Sequence, residues 1–386
     1  MIKKFIKKLR KSRFPYSPLV TITISKKALL HNIQEFQKLN SSVQIAPVLK
    51  SNAYGHGLVH VAEILDTHNE ITHSIPFLIV DSYFEAITLR AEGIKKPLLI
   101  IGYTPSETIL SSKLKNIAFG VINIQTLTEL SERADSKVSI QLKIDTGMNR
   151  QGIQVEELDA AISHIKSNHH LHLQGIFSHF ADADSTDPTF TDSQITAWDV
   201  CVEKVLSEFP KLQYYHLSNT AGQVHGQKIK ANVARLGLGL YGIQQNAPID
   251  EKVHLIPALE LKTIVSGVKK IEPGDKIGYN GTFTAQNPMT IATIPVGYFE
   301  GLDRRLSNKG FVKIGAHFAP VVGRISMNIT VIDISSIPDV RLNDEVTVIS
   351  SSLTDKNSLE QCAHLCETIP YELLVHLPAH LLRTVY

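Results

Sequence analysis

The apolar run at residues 45–49 leads straight into Lys50, and a polar, glycine-punctuated turn follows, Ser51-Asn52-Ala53-Tyr54-Gly55-His56-Gly57. Periodic Leu58, Val61, Ala62 and Leu65 then predict a helix, so Lys50 closes the C-terminal end of a strand buried on both faces. In α/β proteins that end carries the chemistry. An ammonium partly withdrawn from water gives up its proton readily, leaving an amine able to form an imine with a carbonyl. A solvated lysine at a strand end accounts for this segment equally well. Further on, Val138, Ile140, Leu142 and Ile144 alternate with Ser139, Gln141 and Lys143, and Asp145-Thr146-Gly147-Met148-Asn149-Arg150 comes next. If this strand belongs to a barrel, one of its faces points inward, and a lysine there is not packed-interior composition. Arg150 offers a planar fork suited to a carboxylate. His179 reads as a hydrogen-bonded histidine near the core or as a site residue. Thr220 after one run, and Arg235-Leu236-Gly237-Leu238-Gly239 on the next, supply a hydroxyl and free backbone N–H groups where barrels hold phosphate.

These residues need a frame, and the hydropathy pattern supplies one. Apolar runs at 45–49, 75–80, 97–101, 119–124, 138–144, 172–177, 214–217 and 233–238 are strand-like. Amphipathic stripes such as Val155/Leu158/Ile162/Ile165 and Ile195/Trp198/Val202/Val205 lie between most of them. This regular alternation predicts an α/β fold with a (β/α)8, TIM-like barrel over residues 20–250, in preference to a doubly wound open sheet. A strand at 20–24 and the helix stripe Leu29, Ile33, Phe36, Leu39 lead into it. Past Tyr241-Gly242 the character changes. Short strand-like runs at 261–265, 289–294, 311–314, 319–322 and 329–334 are separated by turns, and helix periodicity is nearly absent until Leu359. A mostly β C-terminal domain is therefore expected over residues 251–386, with the boundary near 245–255. Residues 1–19 are a basic N-terminal extension and lead-in.

A chain of 386 residues exceeds the usual single-domain size, and 43% hydrophobic with 20% charged residues is the composition of an ordinary globular protein. A net charge of +2 gives no reason to expect nucleic acid as a partner. No window of apolar residues is long enough to span a membrane. The three cysteines are too few for a disulfide framework, and Cys362 with Cys366 at helical spacing reads as packing, so no metal is expected and a reducing cytoplasm is the natural setting. At the start of the chain Ile2, Phe5, Ile6 and Leu9 share one helical face among basic residues, which suits either an anionic lipid surface or a frayed, solvated extension.

The segment from Lys50 to Gly57 resembles the lysine motif of the alanine racemases, one branch of the barrel-fold enzymes that use pyridoxal 5'-phosphate (PLP). The likeness extends over roughly residues 20–386, with motifs of both domains in the family's order, and several motifs in order outweigh any single one. It implies that Lys50 carries PLP and is one catalytic base. It implies that Arg150 steers the substrate carboxylate and that Lys143 is carbamylated, which would replace like-charge repulsion toward Arg150 with attraction. His179 becomes a neighbour of the cofactor ring, Thr220, Gly237 and Leu238 phosphate ligands, and Arg235 the partner of the pyridine nitrogen. A guanidinium donates there without giving up its proton, so the electron sink stays shallow, which suits a racemase. Tyr54 and Tyr371, in Ile369-Pro370-Tyr371-Glu372, match tyrosines that bind the phosphate.

In the second domain, Lys276-Ile277-Gly278-Tyr279-Asn280-Gly281 resembles the family segment whose tyrosine is the second base. Racemisation removes a proton from one face of Cα and returns one to the other, so two opposed groups are required. Pro295-Val296-Gly297-Tyr298 and Gly323-Arg324-Ile325-Ser326-Met327-Asn328 look like the entrance and substrate-carboxylate segments, with Tyr298, Arg304 and Arg324 at the entrance and the Met327 backbone amide as donor. Asn328 stands where the family usually has an aspartate, and Ser326 where it often has a cysteine, which bears on substrate strictness. The resemblance further implies a homodimer with shared active sites, alanine as substrate, and a supply of D-alanine for peptidoglycan. The alternatives are a broader racemase acting on serine or another amino acid, a barrel-fold PLP decarboxylase, and a non-catalytic PLP-binding protein. Against the decarboxylase stands the lack of a C-terminal Gly-Pro-x-Cys segment; against the binding protein stands the β domain with Tyr279.

Overall fold

The structure is a computed structural model that describes residues 17–244 and 248–386. The amphipathic basic start of the chain lies outside the described residues. Two compact units make up the rest. One comprises residues 24–259, 370–375 and 385–386; the other comprises the described residues up to Thr23 together with 260–369 and 376–384.

The first strand, β1 (Thr21–Ile24), is built into the sheet of the second unit. The larger unit then runs through β2 (Gln44–Pro47), β3 (Leu78–Val80), β4 (Leu98–Ile100), β5 (Ile117–Val121) and β6 (Val138–Asp145). The short β7 (Ile153–Gln154) follows, then β8 (Leu171–Phe177), β9 (Tyr214–His216) and β10 (Val233–Leu236). β3-β4-β5-β6-β8-β9 pair in parallel in that order, β7 pairs with the end of β6, and β10 pairs in parallel with β2. Two junctions close the ring. Leu49 N donates to Ile79 O at 2.7 Å between β2 and β3, and Arg235 N donates to Ser218 O at 3.1 Å between β9 and β10. The eight-stranded parallel barrel expected from the alternating pattern is therefore present, and β3 and β4 are buried at every position, as strands covered on both faces must be.

Local signals set the helices around it. Ser25 caps the helix Lys26–Leu39 by accepting from Ala28 N, Ser82 and Glu85 form a capping box on Tyr83–Ala91, and Asn123 caps Ile124–Arg133. Buried Asn32 accepts from Ile256 N and donates to Leu240 O and Ile256 O, tying the first helix to the segment after β10. Trp198 is fully buried and its indole donates to Lys230 O at 2.9 Å.

The second unit is mostly antiparallel β. A six-stranded sheet contains β1, Leu259–Ile264, Phe311–Ile314, His317–Pro320, Glu345–Ile349 and Leu382–Val385. A three-stranded sheet contains Gly267–Ile271, Met289–Ile294 and Thr330–Asp333, and Lys276–Ile277 pairs with Phe283–Thr284 in a small hairpin. Ile271, Ile277, Ala285, Ile291 and Val322 form a core between these pieces. The helix anticipated from Leu359 runs Leu359–Leu365, capped by Ser358.

Candidate active site

Lys50 is held at its strand end from three sides. Val48 N donates to Leu236 O, Leu49 N to Ile79 O, and the buried Tyr241 hydroxyl to Val48 O at 2.8 Å. Directly after the lysine, Ser51, Asn52, Ala53 and Tyr54 all have φ near +50°. Four consecutive non-glycine residues in the left-handed region cost about 1–2 kcal/mol each, and such strain persists only where the surroundings over-determine it. Here Ala53 N donates to Leu49 O, Asn52 N to Glu85 Oε1, and Leu58 N to Asn52 Oδ1 at 2.9 Å. Gly55, at φ +80°, lies so close to Leu374 O that a Cβ would collide with it. The turn locks the chain immediately beyond the lysine and aims Tyr54 back toward the strand ends.

A cavity of about 430 Å³ at the C-terminal mouth of the barrel is lined by Lys50, Tyr54, Lys143, Arg150, His179, Thr220, Arg235, Gly237, Leu238 and Tyr371. Lys143 is buried, and burial first, then the charges of Arg150 and Arg235, pull its ammonium down to about 8. Arg150 is presented by a loop wrapped around the buried Asp145 carboxylate, which accepts from Gly147 N, Asn149 N and Arg150 N. The Arg150 guanidinium is exposed.

Arg235 is buried and fully engaged along its terminal nitrogens. Nη1 donates to His216 Nδ1 (2.8 Å) and His216 O, and Nη2 donates to Ser178 O, Leu217 O and His179 Nδ1 (3.0 Å). Its Nε–H has no acceptor among the described residues. Burial lowers the guanidinium to about 9, so it remains charged near neutrality. Because arginine only donates, both histidines must accept at Nδ1 and carry their proton on Nε2. Burial and the neighbouring cations, Arg235 first, hold His179 down to about 2, and His216 is likewise held neutral by burial and Arg235. The imidazoles are permanent neutral acceptors for a buried cation.

Tyr54, Thr220 and Gly237 meet at one corner. A Cβ on Gly237 would lie 3.3 Å from the Tyr54 hydroxyl and 3.8 Å from Thr220 Oγ1, so the missing side chain is the room in a small polar cradle. Thr220 Oγ1 accepts from Gly237 N and Gly239 N, and the Tyr371 ring lies 5.9 Å from that of Tyr54. The Tyr54 and Thr220 hydroxyls around that space fit a phosphate, and the Arg235 Nε–H fits a ring-nitrogen acceptor; the residues present suit PLP. Burial raises the Tyr54 phenol, so it serves as a neutral donor.

Asp81, Gln151, Phe177 and Asn219 also line the cavity, and His216 with Gln141 stands behind Arg235; sequence reasoning assigned a role to none of them. A polar residue in a short buried strand, as Gln141 and His216 are, was the available signal.

The remaining expected residues belong to the β unit. Tyr279 stands at the tip of the small hairpin and is 68% exposed. Tyr298 and Met327 are neighbours: Tyr298 N donates to Ser326 O and Phe299 N to Met327 O, both side chains are exposed, and Met327 N–H has no acceptor among the described residues. Asn328 Nδ2 donates to the buried Glu300 at 2.7 Å, and the same carboxylate accepts from Gly297 N. Arg304 begins a single 3-10 turn capped by Asp303, and Arg324 follows Gly323, whose N–H donates to Asn308 Oδ1. Among the described residues no cluster of side chains has the makings of a metal site, and no helix is long and apolar enough to cross a membrane.

A parallel barrel with a lysine, a polar cradle and a buried arginine at its C-terminal mouth, followed by a β unit, defines the class of two-domain barrel enzymes with a separate β domain. Residues 24–245 match the family profile described as alanine racemase, N-terminal domain, and residues 258–385 the one described as alanine racemase, C-terminal domain. The chain belongs to the alanine racemase family, whose members are isomerases. It is 34% identical to the alanine racemase of Syntrophobacter fumaroxidans over 91% of this chain and 93% of that one, and 33% identical to that of Methanococcus maripaludis over 92% and 95%. Among solved structures, the alanine racemase of Clostridium difficile superposes with a TM-score of 0.87 at 29% identity, covering 96% of this chain and 97% of that one. The Bacillus anthracis alanine racemase with bound L-Ala-P gives 0.85 at 29% identity, covering 97% and 96%.

Proposed function

We propose that this chain interconverts L- and D-alanine with PLP held at the barrel mouth. The observation that carries the reading is that Lys50, the Tyr54–Thr220–Gly237 cradle and the Arg235 donor all open onto one cavity of about 430 Å³. Lys50 would hold the cofactor, Tyr54, Thr220, Gly237, Leu238 and Tyr371 its phosphate, and Arg235 its ring nitrogen, with His179 keeping Arg235 in place. When bound, PLP draws electrons from the substrate's Cα–H bond. Arg150 and the backbone N–H of the partner subunit's Met327 bind the substrate carboxylate. Lys50 Nζ takes the Cα proton from D-alanine, and the hydroxyl of the partner subunit's Tyr279 takes it from L-alanine on the opposite face. Tyr298, Arg304 and Arg324 line the approach.

The exposure of Tyr279, Tyr298, Phe299, Met327 and Ile329 on the β unit supports a homodimer in which the partner subunit's Tyr279 completes each site. Three cysteines outside any disulfide and PLP chemistry suit a cytoplasmic enzyme supplying D-alanine for peptidoglycan.

The test is D-enantiomer formation from L-alanine and, separately, from L-serine, with Lys50→Ala and Tyr279→Phe alongside. Each variant alone should be inactive, and their mixture should regain about a quarter of wild-type activity, because random heterodimers carry one intact site. Equal rates with alanine and serine would replace the narrow assignment with the broader racemase. Full activity in Tyr279→Phe would remove the two-base scheme.

A further inference from the structure

The barrel has a second cavity, of about 460 Å³, at its opposite, N-terminal end. Its chemistry follows from Arg235. Because Arg235 donates to His216 Nδ1, the proton of that ring sits on Nε2, and His216 Nε2 faces Gln141 at 2.7 Å. That contact is a hydrogen bond only if Gln141 presents its carbonyl oxygen, so the amide NH2 is turned the other way. Gln141 is 1% exposed, lines this second cavity, and its Nε2 has no acceptor among the described residues. The floor of the cavity is therefore a donor open to the cavity, its orientation fixed by the Arg235–His216 pair behind it.

The walls narrow the class of acceptor. Lys115 and Lys137, at the entries to the adjacent strands β5 and β6, are the charged side chains lining the cavity, and neither is ion-paired among the described residues. No acidic side chain lines it. Phe77 and Phe119 are buried apolar walls, with Phe77 edge-on to Tyr214 at 5.0 Å. We propose that this cavity is a second binding site, for a small organic monocarboxylate whose oxygen meets the Gln141 amide and whose apolar body packs on Phe77 and Phe119. Its volume lies within the range usual for small-molecule pockets. The site is separate from the racemase centre and stands whether or not that reading holds.

4-Bromobenzoate is the probe, soaked into crystals of the full chain with PLP and titrated calorimetrically in solution. The bromine anomalous signal should appear inside this cavity, across the ring from the Gln141 amide and beside the Phe77 and Phe119 walls. Gln141→Glu keeps an acceptor for His216 but replaces the donor with a repelling oxygen, and it should abolish that signal. Because a buried glutamate can unfold the barrel, the exposed pair Lys115→Glu/Lys137→Glu is the second variant. It should weaken binding about tenfold or more, as expected when attraction at two cations becomes repulsion. A bromine found only at the cofactor cavity, or nowhere, overturns the proposal, as does affinity unchanged in the lysine pair.

Discussion

Raising dissolved carbon dioxide over the protein should convert Lys143 to its carbamate, and the barrel sets how readily. Carbon dioxide adds only to the neutral amine: nitrogen bonds to carbon, the carboxylate forms, and a proton leaves to solvent. An ordinary lysine at 10.5 is neutral in about one molecule in three thousand at pH 7; Lys143, held down to about 8, is neutral in roughly one in ten, an ~300-fold gain. The causes that lower it also favour the product. Burial penalises the ammonium, and Arg150 and Arg235 repel it but attract the carbamate. At a fixed dissolved carbon dioxide level, the initial rate of carbamate formation should rise from pH 6 and level off above about 8, where the amine is fully neutral, instead of climbing past 10.5. Arg150→Ala removes one cation, worth on the order of 1 kcal/mol at a protein-like dielectric, so occupancy should drop several-fold. Carbon-13 NMR with labelled bicarbonate reads this directly, with Lys143→Met as the control for assignment. A free amine at saturating bicarbonate, or higher occupancy in Arg150→Ala, would refute the reasoning.

Three further outcomes follow from the same geometry. Gly237→Ala places a methyl 3.3 Å from the Tyr54 hydroxyl, inside the cradle; PLP affinity should fall by about 1–3 kcal/mol in an absorbance titration with little change in apoprotein melting, and intact affinity would remove the phosphate assignment. Asn328→Asp sets a second carboxylate against Glu300, where a 2.7 Å hydrogen bond now stands. It should cost about 1–3 kcal/mol near neutrality in urea unfolding, and an unchanged midpoint would contradict the pairing. His216, fully buried, keeps its pKa well below 6.5 in the fold but takes up a proton below 6.5 when unfolded. Its contribution to stability is complete above pH 6.5 and is lost as pH falls. Urea unfolding between pH 6.5 and 5 should show a loss of about 1.6 kcal/mol in all from this ring, missing in His216→Gln.

Periodicity alone determined most of the frame: eight parallel strands between helices, then short antiparallel strands, are legible because a strand buried on both faces must be continuously apolar and an amphipathic helix must repeat every three to four residues. Residue type determined much of the site as well, since a lysine, arginines and glycine-flanked hydroxyls at strand ends converge wherever such a barrel closes. Only the tertiary structure decided that β1 joins the sheet of the second unit, because strand order in a sheet is not chain order. The left-handed run after Lys50 was equally invisible, for Ser51, Asn52 and Ala53 have no intrinsic wish to adopt it and are held there by Glu85, Asn52 and Leu374. The same holds for Gln141 and His216. In one dimension they are two polar residues far apart in the chain; in the folded barrel a donor-only guanidinium fixes the proton of one and thereby the orientation of the other.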